Sequence, residues 1–461
     1  MQTVFNDPIA PEVLAPLKNA IEQQQIRYLI PSYVDLHGIP KTKIVPTAFL
    51  EKMLKGSECF TGAALDGVPQ DLSDNEVCAV PDPGSFINVP WRPDCGWFAS
   101  DLWLDGKPFE HCIRGRLKRV LDKADRMGFT VNTGVEAEFY VFRDNDSDEP
   151  EPVSPRHHLD KPAYDTVRLM DNLDGWLDDV VSAMNELGWH VYSFDHEDGI
   201  GQFELDFDFS DALTMADRFV FLRVLVGEYA RRHGAFASFM PKPYGDKAGS
   251  GAHYNISLAD KNDGKNLFSL APAEDPHGFG LTTLGYQFIA GVMRHLPAIQ
   301  ALSAPTVNSY KRLVMKGSTS GYTWAPCFTS WGGNNRTNTL RIPGGGGRVE
   351  LRSADSACNP YMGFAMMIAA GLEGIEQELT PTPPNRVNLY LDTEQARADK
   401  GIYWLPRDLA EAADALEADS LAHEVFGDTL LQSWLDFKRQ EYLEYQLEVS
   451  QWERKRYLKM F

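Results

Sequence analysis

An α+β architecture is what this chain predicts, and three observations predict it. Strand-like and helix-like stretches both occur, but not in the regular βαβ alternation that a doubly wound parallel sheet requires. The stretch up to about residue 107 consists of short β-rich runs cut by turns, whereas the remainder mixes long strands with long helices. At 461 residues, with 43% hydrophobic and 24% charged, the chain is too long for one small core and too apolar for general disorder. Two domains are therefore expected, 1–107 and 108–461.

Each element is predicted from local pattern. Ile26 to Asp35 is rich in Ile, Tyr, Leu and Val and stops at Gly38, as a strand does. Pro69, Pro81, Pro83, Pro90 and Pro93 punctuate the next stretch and argue against long helices there. A helix is predicted from Pro108 to Met127, with Gly128 as its C-terminal stop and an apolar stripe of Cys112, Leu117, Val120 and Leu121. Thr130 to Phe142 reads as a strand. Helices are predicted over Leu173–Leu187 and Ala212–His233, closed by Gly188 and Gly234, and over Tyr286–Leu302 with a break near Pro297. The polar, aromatic tail from Asp428 to Lys459 reads as helical, with Trp434, Phe437, Tyr442, Tyr445 and Trp452 as aromatics that pack against some partner surface.

Composition excludes some functions. The net charge of −21 disfavours a phosphate-backbone binder, so no nucleic-acid partner is expected. Six cysteines, at 59, 78, 95, 112, 327 and 358, form no CxxC pair and are too few for a disulfide scaffold. They read as reduced thiols. The opening MQTVFNDPIA lacks a basic stretch followed by an apolar one, and no run of about 18 apolar residues occurs. The expectation is a cytoplasmic protein with no membrane partner.

The familiar short motifs are missing: no GxxxxGK[ST], HExxH, GxSxG or complete GxGxxG. Four scattered constellations remain. Glu136 and Glu138 lie two apart in the apolar run Val135–Phe142, so on a strand they share a face. Either a cation separates them or the face is solvated. Asp195-His196-Glu197-Asp198 and Gln202-Phe203-Glu204, with Asp206 and Asp208, form an acidic cluster around Gly199 and Gly201. Such a cluster either holds a hard divalent cation or is an exposed acidic loop. Gly249-Ser250-Gly251-Ala252-His253 precedes Asn255 and Ser257 on one strand face, and its small residues permit a ligand to approach the backbone. A single His there is either a ligand or structural. Arg312, Arg336, Arg341, Arg348 and Arg352 form a basic series with Glu350 inside it, suited to phosphate or carboxylate, or to an internal ion pair. Together these make the inventory of a divalent-metal nucleotide site.

The segments GVEAEF (134–139), FMPKP (239–243), GSGAH (249–253), NSYKRL (308–313), NRTNTLRIP (335–343) and RVELR (348–352) occur in an order that resembles the glutamine synthetase family. The likeness runs from the N-terminal strands to about residue 410. It implies an N-terminal β-grasp domain, then a catalytic domain with a curved antiparallel sheet. It also implies a homo-oligomer, a dodecamer of two stacked hexamers with active sites between subunits. The implied reaction is ATP-dependent and ADP-forming: glutamate is phosphorylated on its side-chain carboxylate and an amine displaces the phosphate. Two or three Mg²⁺ or Mn²⁺ ions are implied. One set of ligands would be Glu138, Glu197 and Glu204, the other Glu136, His253 and Glu350. Arg312, Arg352, Arg336 and Gly249 resemble the glutamate-binding positions. Arg336, with Arg341 and Arg348, would hold phosphate, and Asn255 and Ser257 lie where the family meets the nucleoside. Tyr164 resembles a tyrosine beside the ammonium site. Asn388-Leu389-Tyr390 resembles the tyrosine some bacterial members adenylylate, although its flanks differ.

The sequence departs from the family at the amine end. Phe60-Thr61-Gly62-Ala63-Ala64 stands where the family carries F-D-G-S-S, so the ammonium-binding Asp is Thr61, unless Asp66 replaces it across a gap. The flap, residues 315–324, contains no Glu and ends in Trp324; Ala248 stands for a glutamate-binding Asn. With that Asp gone, Glu197 is the candidate to take the amine's proton. A methyl group in an apolar pocket adds about 1–3 kcal/mol, which tilts the expectation from ammonium to a small alkylamine such as methylamine. Within the family the resemblance is nearest to γ-glutamylmethylamide synthetases and type III glutamine synthetases. Glutamine synthesis, a non-catalytic ring-forming relative and a metal-dependent hydrolase are the competing readings.

Overall fold

The computed structural model describes residues 3–5, 7–145, 151–153, 164–167, 175–316 and 321–461. Two sheets organise the described residues. The first orders Pro40–Lys41, Tyr28–Val34, Cys95–Leu104, Val77–Pro81 and Glu58–Phe60 side by side. Its central pair, Tyr28–Val34 and Cys95–Leu104, is parallel, and its other pairings are antiparallel. This is the N-terminal β-grasp element of an α+β fold. A helix, Pro11–Gln23, precedes it and buries Leu17 and Ile21. The expectation of short strands cut by turns up to residue 107 missed this helix; Pro11 sits in its first turn, where a missing N–H costs nothing, and Pro16 is accommodated within it.

The second sheet carries the chemistry. Its order is Val191–His196, Gln202–Phe207, Phe129–Arg143, Ala252–Asp260, Val349–Leu351, Leu340–Arg341 and Trp331–Gly332. All these neighbours are antiparallel except the last pair. Alternation sorts each strand into two faces. Val135, Ala137 and Phe139, then Phe203, Leu205 and Phe207, then Tyr254, Ile256 and Leu258 all enter the core. Behind that face pack Ala212–Arg232, Thr283–Ser303 and Pro360–Glu376, the first two capped by Asp211 and Thr282 accepting from backbone N–H groups of their first turns. The carboxylates are left on the opposite face.

Arg114 ties the two halves together. Its guanidinium, 3% exposed, meets Asp82, Asp101 and Asp217, each at 2.9 Å, so one cation bridges the N-terminal sheet and the helix Ala212–Arg232.

Several expectations are corrected. The helix expected from Pro108 begins at Ile113, because Lys107–Pro108 pairs with Trp103 and Leu104 as a short strand. It does end where Gly128 takes a left-handed φ of 88°. Thr283–Ser303 runs unbroken through Pro297; Leu296, Ala298 and Ile299 around it are buried, and packing outweighs the lost hydrogen bond. Of the helix expected over Leu173–Leu187, Trp176–Glu186 is observed, and residues 173–174 lie outside the described residues. The tail is two helices, Asp428–Leu447 and Gln451–Tyr457, the second opened by a Ser450–Glu453 capping box. Trp434 is buried as expected, but Tyr445 is 45% and Trp452 60% exposed. The six cysteines are not all free. Cys59 and Cys78 sit opposite one another in antiparallel register and are disulfide-bonded, a proximity set by strand pairing and invisible in the spacing. The other four are buried thiols. No helix among the described residues is long and apolar enough to cross a membrane.

Candidate active site

Strand register assembles the site. Glu204 pairs with Glu138 on one side and Asp195 on the other; Glu136 pairs with His253, and Glu350 with both Asn255 and Arg341. Residues far apart in the chain thus become neighbours on the face left free by the core. All of these except Glu350 and Asn255 line a cavity of about 550 Å³.

Two ligand-like triads sit there: Glu136, His253 and Glu350, and Glu138, Glu197 and Glu204, the donor atoms of each lying within 4.8 Å of one another. His253 Nδ1 lies 3.0 Å from Glu136 Oε2 and 3.7 Å from Glu350 Oε1, while its Nε2 is 3.7 Å from Glu138 Oε1. The histidine therefore stands between the two sets. Gly251 N–H (2.8 Å) and Gln202 Nε2 (3.3 Å) donate to Glu138 Oε2 and aim that carboxylate. Asn255 Nδ2 donates to Glu136 Oε1 at 2.9 Å.

The electrostatics distinguish the triads. Burial works against ionisation of Glu136, but His253 and Asn255 overcome it and hold the carboxyl at about 2. Burial and then the Glu138 charge push Glu197 up to about 8, and burial with Glu138 and Glu197 pushes Glu204 well above its ordinary value. Three carboxylates crowded together in this way are the donor set a hard divalent cation takes. The residues fit such an ion. A third acidic group, Asp195, Glu204 and Asp206, adjoins them, and burial, then Glu136, raises Asp206 to about 7.

The arginines divide by burial. Arg312 and Arg352 are 4% and 2% exposed. Arg312 donates to the carbonyls of Ser353 and Arg352, both at 3.1 Å. Arg352 Nη1 pairs with the fully buried Glu350 at 2.7 Å, and Arg341 bonds the other oxygen of Glu350. Arg336 and Arg348 are exposed at the rim, the latter donating to Asn255 Oδ1 at 2.9 Å.

Glycine leaves the space these converging parts need. A Cβ on Gly251 would lie 2.6 Å from Arg312 Nη2, 2.8 Å from His253 Nε2 and 3.0 Å from Glu138 Oε1. One on Gly249 would lie 2.4 Å from the Pro241 carbonyl. The GSGAH segment is small because site groups occupy the space a side chain would need.

Most of the sequence-derived site residues meet here. Glu136, Glu138, Glu197, Glu204, His253, Gly249, Arg312, Arg336, Arg341, Arg348, Arg352, Tyr164 and Trp324 border the cavity; Glu350 and Asn255 touch its lining groups. Ser257 lies two residues beyond Asn255 on the same strand face but is not in the cavity wall. Thr61 and Asp66 lie at the N-terminal sheet, away from this chain's cavity; Asp66 faces His37 at 3.5 Å. Of the flap, 317–320 lies outside the described residues. Thr323 and Ala325, which also form wall, carried no signal of their own in the sequence. Asp195 and Asp206 did: Glu204 and Asp206 share a face by spacing, and Asp195 joins them through register.

A largely antiparallel sheet presenting two acidic triads in a cavity also lined by five arginines has the donor set and the charge of a metal-dependent nucleotide enzyme. Residues 110–457 match the model of the family "Glutamine synthetase, catalytic domain", and the chain belongs to the glutamine synthetase family. It is similar to the glutamate–methylamine ligase of Methyloversatilis universalis, 38% identical over 96% of this chain and 98% of that one. It is also 38% identical to a glutamine synthetase of Rhizobium leguminosarum bv. phaseoli, over 94% of this chain and 96% of the other. The solved GmaS/ADP complex superposes with a TM-score of 0.87 at 36% identity, covering 96% of this chain and 99% of that one. Apo GmaS gives 0.85 at 35% identity, with the same shares covered. The protein is an enzyme of the ligase class, in a family that uses ATP and divalent metals.

Proposed function

We propose that this enzyme joins the γ-carboxylate of L-glutamate to a small alkylamine such as methylamine, consuming ATP and passing through γ-glutamyl phosphate. One observation carries the choice of amine: the cavity wall formed by 323–325 offers the indole of Trp324 and no carboxylate. Ammonium needs charge and hydrogen bonds, whereas a methyl group gains from an apolar wall. The likeness to a glutamate–methylamine ligase supports the same reading.

In this reading Arg312, Arg352 and the backbone of Gly249 orient glutamate. Its γ-carboxylate oxygen attacks the γ-phosphorus of ATP, and ADP leaves. Arg336, Arg341 and Arg348 neutralise charge on the transferring phosphoryl group, and Asn255 with Ser257 meets the nucleoside. The amine nitrogen then attacks the acyl carbon and phosphate departs, its charge held by Arg336. Glu197 takes the proton the amine must lose, and Tyr164 stands beside the amine. Mg²⁺ or Mn²⁺, held by Glu138, Glu197 and Glu204 and by Glu136, His253 and Glu350, would supply further charge neutralisation at the phosphate oxygens.

Residues 1–107 act as the N-terminal domain and 108–461 as the catalytic domain of a cytoplasmic dodecamer. Thr61 and Asp66 would then reach a neighbouring subunit's cavity. Ammonium is the second reading, favoured by Asp66 and by relatives named glutamine synthetase.

The test is ADP release with ATP, Mg²⁺ and L-glutamate, supplied with ammonium, methylamine, ethylamine or no amine. A kcat/KM for methylamine well above that for ammonium supports the proposal. Equal or better use of ammonium makes the enzyme a glutamine synthetase, and no release with any of these amines overturns the proposal.

A further inference from the structure

The wall that bears Trp324 does not hold itself in place. Trp324 has φ of 60°, a left-handed backbone that a bulky residue adopts only when its surroundings impose it. Its indole is 47% exposed, so burial of the ring is not what imposes it. Part of the fixing is local, Thr323 donating to the Val314 carbonyl and Cys327 to that of Ala325; the rest comes from elsewhere in the chain. Arg352 Nη2 donates to the Trp324 carbonyl at 3.3 Å. The hydroxyl of Tyr390 donates to the next carbonyl, that of Ala325, at 2.5 Å. The Tyr390 ring also stacks on Tyr322, with centroids 5.2 Å apart and planes 20° off parallel, and Tyr322 meets Trp324 edge-on at 6.3 Å.

Tyr390 itself is well anchored. Its neighbour Leu389 is fully buried in a small cluster with Cys327, Phe328 and Ile402, and Tyr390 packs against that cluster. Arg397 Nη1 donates to the Leu389 carbonyl at 3.3 Å and its guanidinium lies over the Phe328 ring. Tyr390 is not in the cavity wall. It touches the wall from behind, its hydroxyl bonded to the Ala325 carbonyl and meeting the Thr323 side chain, while its ring stacks on Tyr322.

We infer that Tyr390 is a positioning residue for amine selection: by its bond to Ala325 and its stack on Tyr322 it sets where the Trp324 indole stands against the amine. The inference rests on the reading of Trp324 as the amine wall. A tyrosine is required because the two contacts come from different parts of one side chain. Phenylalanine keeps the stack and loses the hydroxyl's hydrogen bonds; alanine loses both.

Steady-state kinetics on wild type, Tyr390→Phe, Tyr390→Ala and Tyr322→Leu tests this, with methylamine and ammonium as alternative amines. Tyr390→Phe should raise the KM for methylamine about three- to tenfold and Tyr390→Ala more, with the KM for ATP unchanged within about twofold. The preference between methylamine and ammonium should shrink in the same order, and Tyr322→Leu should resemble Tyr390→Phe. Amine KM and preference within twofold of wild type in all variants overturn the inference. So does a parallel rise in the KM for ATP and glutamate, which would mark a general structural role. Thermal melting reports folding; should Tyr390→Ala fail to fold, Tyr390→Phe and Tyr322→Leu decide. If wild type prefers ammonium, the alkylamine reading fails on that protein alone, and Tyr390 is judged on the KM for ammonium.

Discussion

Single side chains in this enzyme carry opposing demands, and Glu204 shows it best. It is buried beside Glu138 and Glu197, and that crowding destabilises the protein unless a cation intervenes. Glu204→Gln should therefore raise the melting temperature in EDTA while shrinking the stabilisation that Mg²⁺ or Mn²⁺ confers on wild type. Loss of a ligand should cut kcat/KM by at least ~100-fold. Parallel melting curves with and without metal check both signs. Gly251 makes the complementary case. Gly251→Ala inserts a Cβ among Arg312, His253 and Glu138, so each must move by a fraction of an ångström. Displacements of that size at a reacting centre cost up to ~100-fold in rate, so activity should collapse while circular dichroism stays native. Arg352 balances a fully buried carboxylate, and Arg352→Ala should cost about 3–5 kcal/mol on denaturant unfolding, because buried Glu350 loses one of its two arginine partners.

Between elements, the helices behind the sheet are joined by a titratable link. His295 on Thr283–Ser303 lies 2.6 Å from Glu373 on Pro360–Glu376 and 2.7 Å from Asp419, the cap of Ser420–Phe426. Burial lowers its affinity for a proton, but the two carboxylates more than offset this and raise the histidine above its ordinary value. A raised histidine stabilises the fold fully below the unfolded pKa of about 6.5, and that contribution is lost as pH rises through the folded value. The stability difference between wild type and His295→Gln should therefore be greatest near pH 6 and decline towards pH 9. A series of melts across that range measures it; a difference that grows with pH would contradict the charged link. The same elements show what periodicity can reveal. Two glutamates two apart in an apolar strand do share a face, and His253, Asn255 and Ser257 do alternate away from the core. Pro297 and Pro108 mislead because each is judged locally, while burial around one and strand pairing at the other determine the outcome.

For the whole molecule, the position of Thr61 is the informative fact. It lies on the N-terminal sheet and outside this chain's cavity, yet the family resemblance places its counterpart at the amine. If neighbouring subunits complete each site, Thr61→Asp should shift preference from methylamine towards ammonium by ~10-fold or more, as a restored anionic group would. Mixing Thr61→Asp chains with inactive Glu204→Gln chains should then yield hybrid sites whose preference depends on the neighbour, read by the ratio of ADP release with the two amines.

The linear chain was sufficient for the acidic pairs, the glycines beside His253, the arginine series and the order of motifs, because each is a pattern of residue types along the chain. It was also sufficient for the α+β class, which element order decides. It was not sufficient for the register that sets Glu204 between Asp195 and Glu138, for the Cys59–Cys78 bond, or for Arg114 clamping three aspartates. Nor could it place Tyr390 behind Trp324. These depend on which strands pair and which faces pack, interactions between residues on different elements, whose partners are chosen by the burial of the whole core.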